Sequence, residues 1–161
     1  MQSKEEPEKY LHTNFNGDHN FSGTPFLDAA CDLDSDQLLI YGHNMQNGTM
    51  FRGLLRYRES NFFKDHPTIQ FDTIYNTYEY EVMAVLYERV YYKTEDVFKF
   101  YQFHDAANKE EFDEAVAYYK EHAAYETGVT AEYGDQLLAL VTCAYHVDDG
   151  RLVVIAKRTR D

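Results

Sequence analysis

Two apolar runs near the C-terminus constrain the fold of this chain more than any other feature. Residues 136–142 and 151–158 are rich in Leu, Val and Ile, and both have strand length. The residues between them, 143–150, are polar, with Asp148-Asp149-Gly150 as the turn. Two buried strands joined by so short a link pair with each other, so the expected frame is a sheet.

The rest of the chain reads as short strands with a few helices. Residues 24–28 form a short strand, and residues 37–41 form another that runs out into Gly42-His43-Asn44. Residues 49–58 carry Met50, Phe51, Leu54, Leu55 and Arg58 at helical spacing, which predicts one short helix before the break at Asp65-His66-Pro67. Residues 68–75 are a strand. Residues 78–92 are a longer β stretch whose first half alternates Tyr78, Tyr80 and Val82 with Glu79 and Glu81. The clearest helix covers residues 108–124. Asn108 caps it, Glu111 follows three residues later, and Phe112, Ala115, Val116, Tyr119 and Ala123 form one apolar stripe. Residues 1–23 read mainly as loop, with Tyr10 and Leu11 as an apolar anchor. No repeat or linker divides the 161 residues, so a single domain over 1–161 is expected. The fold class is mainly β, an antiparallel barrel or sandwich with helical insertions.

Charge narrows the function classes. A formal net charge of -13 opposes nucleic acid and anionic lipid surfaces, both of which call for clustered Lys and Arg. The chain has 15 Tyr and 11 Phe but no Trp, a bias suited to strand faces and groove walls. No run of about 18 apolar residues is present, and residues 1–10 are too polar and acidic for a secretory signal. The seven histidines form no HExxH or other closely spaced ligand set, so neither a metal nor a cofactor is expected. The two cysteines, Cys31 and Cys143, lie far apart, and Cys31 reads as a small buried residue.

Candidate chemistry sits where apolar strands end. Cys143 follows the run Leu137 to Thr142, a place that is rigid and yet open to a substrate, as a nucleophile requires. Arg151 opens the next strand, where a guanidinium can steady a thiolate or bind an oxyanion. His43 ends the strand Leu38 to Tyr41, and histidine is the usual acid/base group near neutral pH. Taken singly, each has an ordinary alternative: a structural cysteine, a surface arginine, a loop histidine.

Together and in this order they resemble the sortase family, and class B most closely. The similarity is carried by "NFNGDHNFSGTPFLDAACD", "LLIYGHNMQNGTMFRGLLRY", "FFKDHPTIQFDT" and, most specifically, "LLALVTCAYHVDDGRLVVIAKR". The helix before the Cys143 strand stands where class B members carry an extra one. The resemblance implies a closed sortase-type β-barrel of about eight strands. It implies that the chain starts after the membrane anchor, helices and first strand with which family members begin. The implied activity is a cysteine transpeptidase without cofactor. It cleaves a C-terminal sorting motif after threonine and passes the protein, through a thioester, to a peptidoglycan precursor or other amine. The implied location is the extracytoplasmic face of the membrane, and the implied partners are secreted proteins bearing the sorting signal. On this pattern Cys143 is the nucleophile, His43 the acid/base and Arg151 the binder of substrate backbone or oxyanion. Leu11, Thr127 and Thr142 are candidate substrate contacts.

One departure is at Val141, where the family often has serine. Two other readings keep the same barrel: a pilin-type sortase with a protein lysine as acceptor, and a catalytically impaired barrel that binds peptides. A papain-like hydrolase fits less well, because its cysteine precedes its histidine and opens a helix.

Overall fold

The structure is a computed structural model, and it describes residues 1–159. The expected C-terminal pair forms as β5 (Leu137–Cys143) and β6 (Gly150–Arg158), antiparallel, with Cys143 opposite Arg151. Four other strands complete the sheet: β1 (Phe26–Leu27), β2 (Gln37–Tyr41), β3 (Thr68–Asp72) and β4 (Thr77–Arg89). Their order is β1-β2-β5-β6-β4-β3. Every pairing is antiparallel except β2 with β5, which run parallel in register from Gln37↔Leu137 to Tyr41↔Val141.

Six strands are described where the resemblance implies about eight. The edge strands β1 and β3 nonetheless line one apolar hollow of about 630 Å³, with Phe26, Ile40, Phe71 and Leu138 in its wall. The sheet therefore curls round in the manner of a barrel. β1 is short because Pro25 has no N–H to give a ladder, and because the Asp28 side chain starts a turn by accepting the Ala30 N–H at 2.8 Å.

β4 keeps the expected alternation only in its first half. From Val82 to Leu86 every residue is buried, since both faces of the central strands are covered. One face meets α2 (Lys109–Glu121) through Phe112, Ala115, Val116 and Tyr119. The other packs on Leu54 and Tyr57. The Asn108 side chain caps α2 by accepting the Glu111 N–H at 3.0 Å, while Glu111 reaches back to the Ala107 N–H at 2.8 Å. Residues 49–58 do not form one α-helix. Phe51–Arg58 is a 3-10 helix, and a separate short helix, α1 (Ser60–Asp65), follows it and stops before Pro67. The tighter 3-10 winding lets Leu54 and Tyr57, three residues apart, face the same core. No described helix is long and apolar enough to cross a membrane.

Candidate active site

The parallel pairing of β2 with β5 decides where His43 stands. Tyr41 pairs with Val141, and the ladder runs one step further as the Gly42 N–H donates to the Val141 carbonyl at 3.1 Å. Two residues on along both strands, His43 comes beside Cys143. Arg151 is already opposite Cys143 on the far side. Three neighbouring strand ends thus carry histidine, cysteine and arginine abreast, and residues abreast in a sheet share a face. All three line one cavity of about 400 Å³, together with Leu11, Asp28, Tyr41 and Thr142.

Each side chain is held by identifiable contacts. His43 Nε2 donates to the Leu11 carbonyl at 2.7 Å, which requires a proton on Nε2 and leaves Nδ1 as the basic nitrogen of a neutral ring. Gly42 gives the chain room before it, because a Cβ there would meet the Phe51 ring at 2.5 Å. Cys143 is half-buried and free of any disulfide. Its carbonyl accepts the Asn44 side-chain amide at 2.9 Å, and Asn44 accepts from Arg52 at 2.9 Å. Arg151 donates to the Gly150 carbonyl at 2.9 Å, and no described carboxylate forms an ion pair with it.

The candidate substrate contacts divide. Leu11 lies in the cavity wall and contributes its carbonyl to His43. Thr142 also lines the cavity, but its hydroxyl is engaged, donating to the Gly42 carbonyl at 2.8 Å and tying β5 to the end of β2. Thr127 lies outside this cavity. It borders a separate hollow of about 240 Å³, and its hydroxyl donates to the Met83 carbonyl at 2.7 Å.

Sequence reasoning missed several neighbours. Asn44 and Arg52 brace the cysteine, and the only sequence signal for Asn44 was its place directly after His43. The exposed His12 ring stacks on His43, centroids 5.6 Å apart, although His12 stands in a polar loop with nothing to single it out. Asp28 and Tyr41 form the cavity wall, with the Tyr41 hydroxyl donating to Asp28 at 2.9 Å. Burial pushes the Tyr41 hydroxyl pKa well up, and the Asp28 charge adds to this. Burial would also raise Asp28, but the neighbouring His104 imidazole, the Ala30 N–H and the Tyr41 hydroxyl outweigh it and hold the carboxyl below its ordinary value. The second thiol, Cys31, is fully buried, and burial pushes it up to about 11.

A family model described as the sortase domain matches residues 26–159, which includes every strand and all three abreast residues. The chain belongs to the sortase family. Its likeness is to class B. A curated sortase B from Listeria monocytogenes is 29% identical over 161 residues, covering 98% of this chain and 62% of that protein. A solved sortase B structure from Clostridium perfringens aligns with a TM-score of 0.83 at 28% identity, covering 95% of this chain and 82% of that one. A sortase B structure complexed with triglycine aligns at 0.81 and 27% identity, covering 95% and 70%. The chain spans 62% and 59% of the lengths of the curated relatives it matches.

Proposed function

We propose that this chain carries the catalytic core of a class B sortase, a cysteine transpeptidase acting on sorting-motif proteins. The observation that carries the reading is the placement of His43 just beyond β2, Cys143 on β5 and Arg151 on β6, all lining one cavity. His43 Nδ1 takes the Cys143 thiol proton, and the resulting thiolate attacks the carbonyl carbon of the motif threonine. The carbonyl oxygen becomes an oxyanion, and Arg151, which pairs with no described carboxylate, donates to it. The C–N bond then breaks. His43 gives a proton to the departing amine, and the acyl group stays on sulfur as a thioester. An incoming amine attacks that thioester, loses its proton to His43 and leaves with the acyl chain, which regenerates the thiolate. The Leu11 carbonyl keeps Nε2 protonated through the cycle, so Nδ1 is the nitrogen that gains and loses the proton.

Amine acceptors of the oligoglycine kind are supported by the related sortase B structure complexed with triglycine. A cell-wall amine on the outer face of the membrane is the acceptor and setting this reading implies. The test is a panel of fluorogenic peptides with threonine before the scissile bond, incubated with and without triglycine. Amine-dependent transfer by the wild-type chain, abolished by Cys143→Ala and reduced by His43→Ala, is expected. Cleavage by Cys143→Ala at the wild-type rate would refute the proposal. Transfer to a lysine-bearing pilin segment in preference to triglycine would move the chain to the pilin class.

A further inference from the structure

Beside the cavity lies a group of side chains that the acyl-transfer scheme does not use. Asp28 opens the turn after β1, Cys31 closes it, and His104 comes from the loop before α2. One ligand atom from each, a carboxylate oxygen, Sγ and an imidazole nitrogen, all lie within 4.8 Å of one another. His104 Nε2 is buried and has no hydrogen-bond partner; Asp28 Oδ1 stands 3.6 Å away, too far for a good hydrogen bond. A buried polar atom left without a partner is costly and calls for an explanation.

The surroundings fix each of the three groups. Asp28 accepts from the Tyr41 hydroxyl at 2.9 Å and from the Ala30 N–H at 2.8 Å. The Cys31 thiol donates to the Gln37 carbonyl at 3.4 Å, and the Gln37 N–H donates to the His104 carbonyl at 2.8 Å. Outer contacts of this kind are what orient the ligands of a metal site.

We propose that Asp28, Cys31 and His104 form a binding site for a borderline-soft divalent cation of the zinc type. A thiolate, an imidazole and a carboxylate are the donor set such ions prefer, whereas Ca²⁺ and Mg²⁺ call for oxygen alone. On binding, the Cys31 S–H bond breaks, its proton passes to solvent, and Sγ, Asp28 and His104 Nε2 each supply an electron pair. A water molecule takes the fourth tetrahedral position. One carboxylate and one thiolate balance the two positive charges, so the buried site is neutral overall. Ligand atoms in such a site lie roughly 3.3–3.8 Å apart, given bonds of about 2.0–2.3 Å. The cluster therefore closes by about 1 Å through side-chain rotation. Asp28 and Ala29 line the cavity that holds Cys143, so the ion pins one of its walls. Metal binding at this site does not depend on the transfer reaction.

Co²⁺ titration of the purified Cys143→Ala chain tests it, because Cys31 is then the only thiol among the chain's two cysteines. One Co²⁺ per chain with a thiolate-to-cobalt charge-transfer band, displaced by Zn²⁺, is expected. His104→Ala in the same background weakens binding by about tenfold or more. Absence of the band at saturating Co²⁺ would overturn the site and leave Asp28–His104 as a plain ion pair. A band unchanged by His104→Ala in a chain of native far-UV circular dichroism would overturn it as well. The Cys143→Ala titration leaves all three ligands intact, so it decides the matter even if His104→Ala does not fold.

Discussion

The sheet end and the N-terminal strap hold two halves of the same site by different means. Cys143 and Arg151 stand on β5 and β6, paired residue by residue from Leu137↔Lys157 to Cys143↔Arg151, with both faces of the strands buried. His43 lies just beyond β2, and its ring is held by the Leu11 carbonyl and the stacked His12 ring, both in a segment with no buried residue before Gly23. That strap is held by a few contacts, among them the Thr24 N–H to the Tyr10 carbonyl at 2.9 Å and the Thr24 hydroxyl to the Thr13 carbonyl at 3.0 Å. The proposed nucleophile and oxyanion binder are fixed by the core of the fold, the proposed acid/base by a loop. Damage to the sheet end therefore removes chemistry or stability outright, whereas damage to the strap releases the His43 ring while the core stays folded.

The largest effect is expected at the sheet end. Arg151→Ala removes the cation aligned with Cys143 across β6 and lowers kcat/KM for peptide transfer by about 10²–10³. Arg151→Lys recovers only part, since a single ammonium cannot reproduce the guanidinium fork. A loss under about threefold would show that the oxyanion is bound elsewhere.

Gly23→Ala tests the strap. Gly23 has φ +60°, and a Cβ there would stand 2.4 Å from the carbonyls of both Leu11 and Tyr10. The strap then shifts and His43 loses its acceptor. Transfer falls about tenfold, while the main denaturation transition changes by less than about 1 kcal/mol. Wild-type transfer by Gly23→Ala would show that the strap does not set the His43 ring.

The Asn44 brace connects the two regions. Asn44→Ala removes the bond to the Cys143 carbonyl and strips Arg52 of its acceptor, for a loss of about 1 kcal/mol in stability and a few-fold in kcat. Urea denaturation and the peptide assay measure the two together.

The smallest effect near neutral pH concerns the sheet alone. Burial raises the Tyr80 hydroxyl from 10.0 to about 12. In the unfolded chain this group ionises first as pH rises, so its contribution is complete below pH 10 and is lost as pH climbs through about 12. The loss is on the order of 1–2 kcal/mol, allowing for solvent screening. Stability curves across this alkaline range should show the fall in wild type and a shallower one in Tyr80→Phe, which also lacks the 2.8 Å bond to Gln136.

What could be read from the sequence follows the same division. Apolar runs marked the strands beside His43, Cys143 and Arg151, but each residue taken singly had an ordinary alternative, and the family resemblance joined the three. The Leu11 carbonyl has no such pattern, since every residue carries one. The helix expected over residues 49–58 winds as a 3-10 helix, since 3.0 and 3.6 residues per turn are hard to separate over so few residues, and the six residues of α1 were too few to show a period of their own. Thr127 borders a different hollow from the one expected, because adjacency to the cysteine strand does not say which side of the sheet a loop will reach. The Asp28, Cys31 and His104 cluster was invisible for a related reason: two ligands share a turn, but the third arrives only when the loop before α2 folds over β2.

The central claim is that Cys143, set between His43 and Arg151, takes the acyl group. Intact-protein mass spectrometry after mixing the chain with a threonine-motif peptide, quenched in acid and followed by peptide mapping, tests it most directly. The account predicts a thioester-linked acyl fragment on Cys143, lost on addition of hydroxylamine and never found on the buried Cys31. Peptide cleavage with no adduct on Cys143, or with the adduct on Cys31, would contradict it.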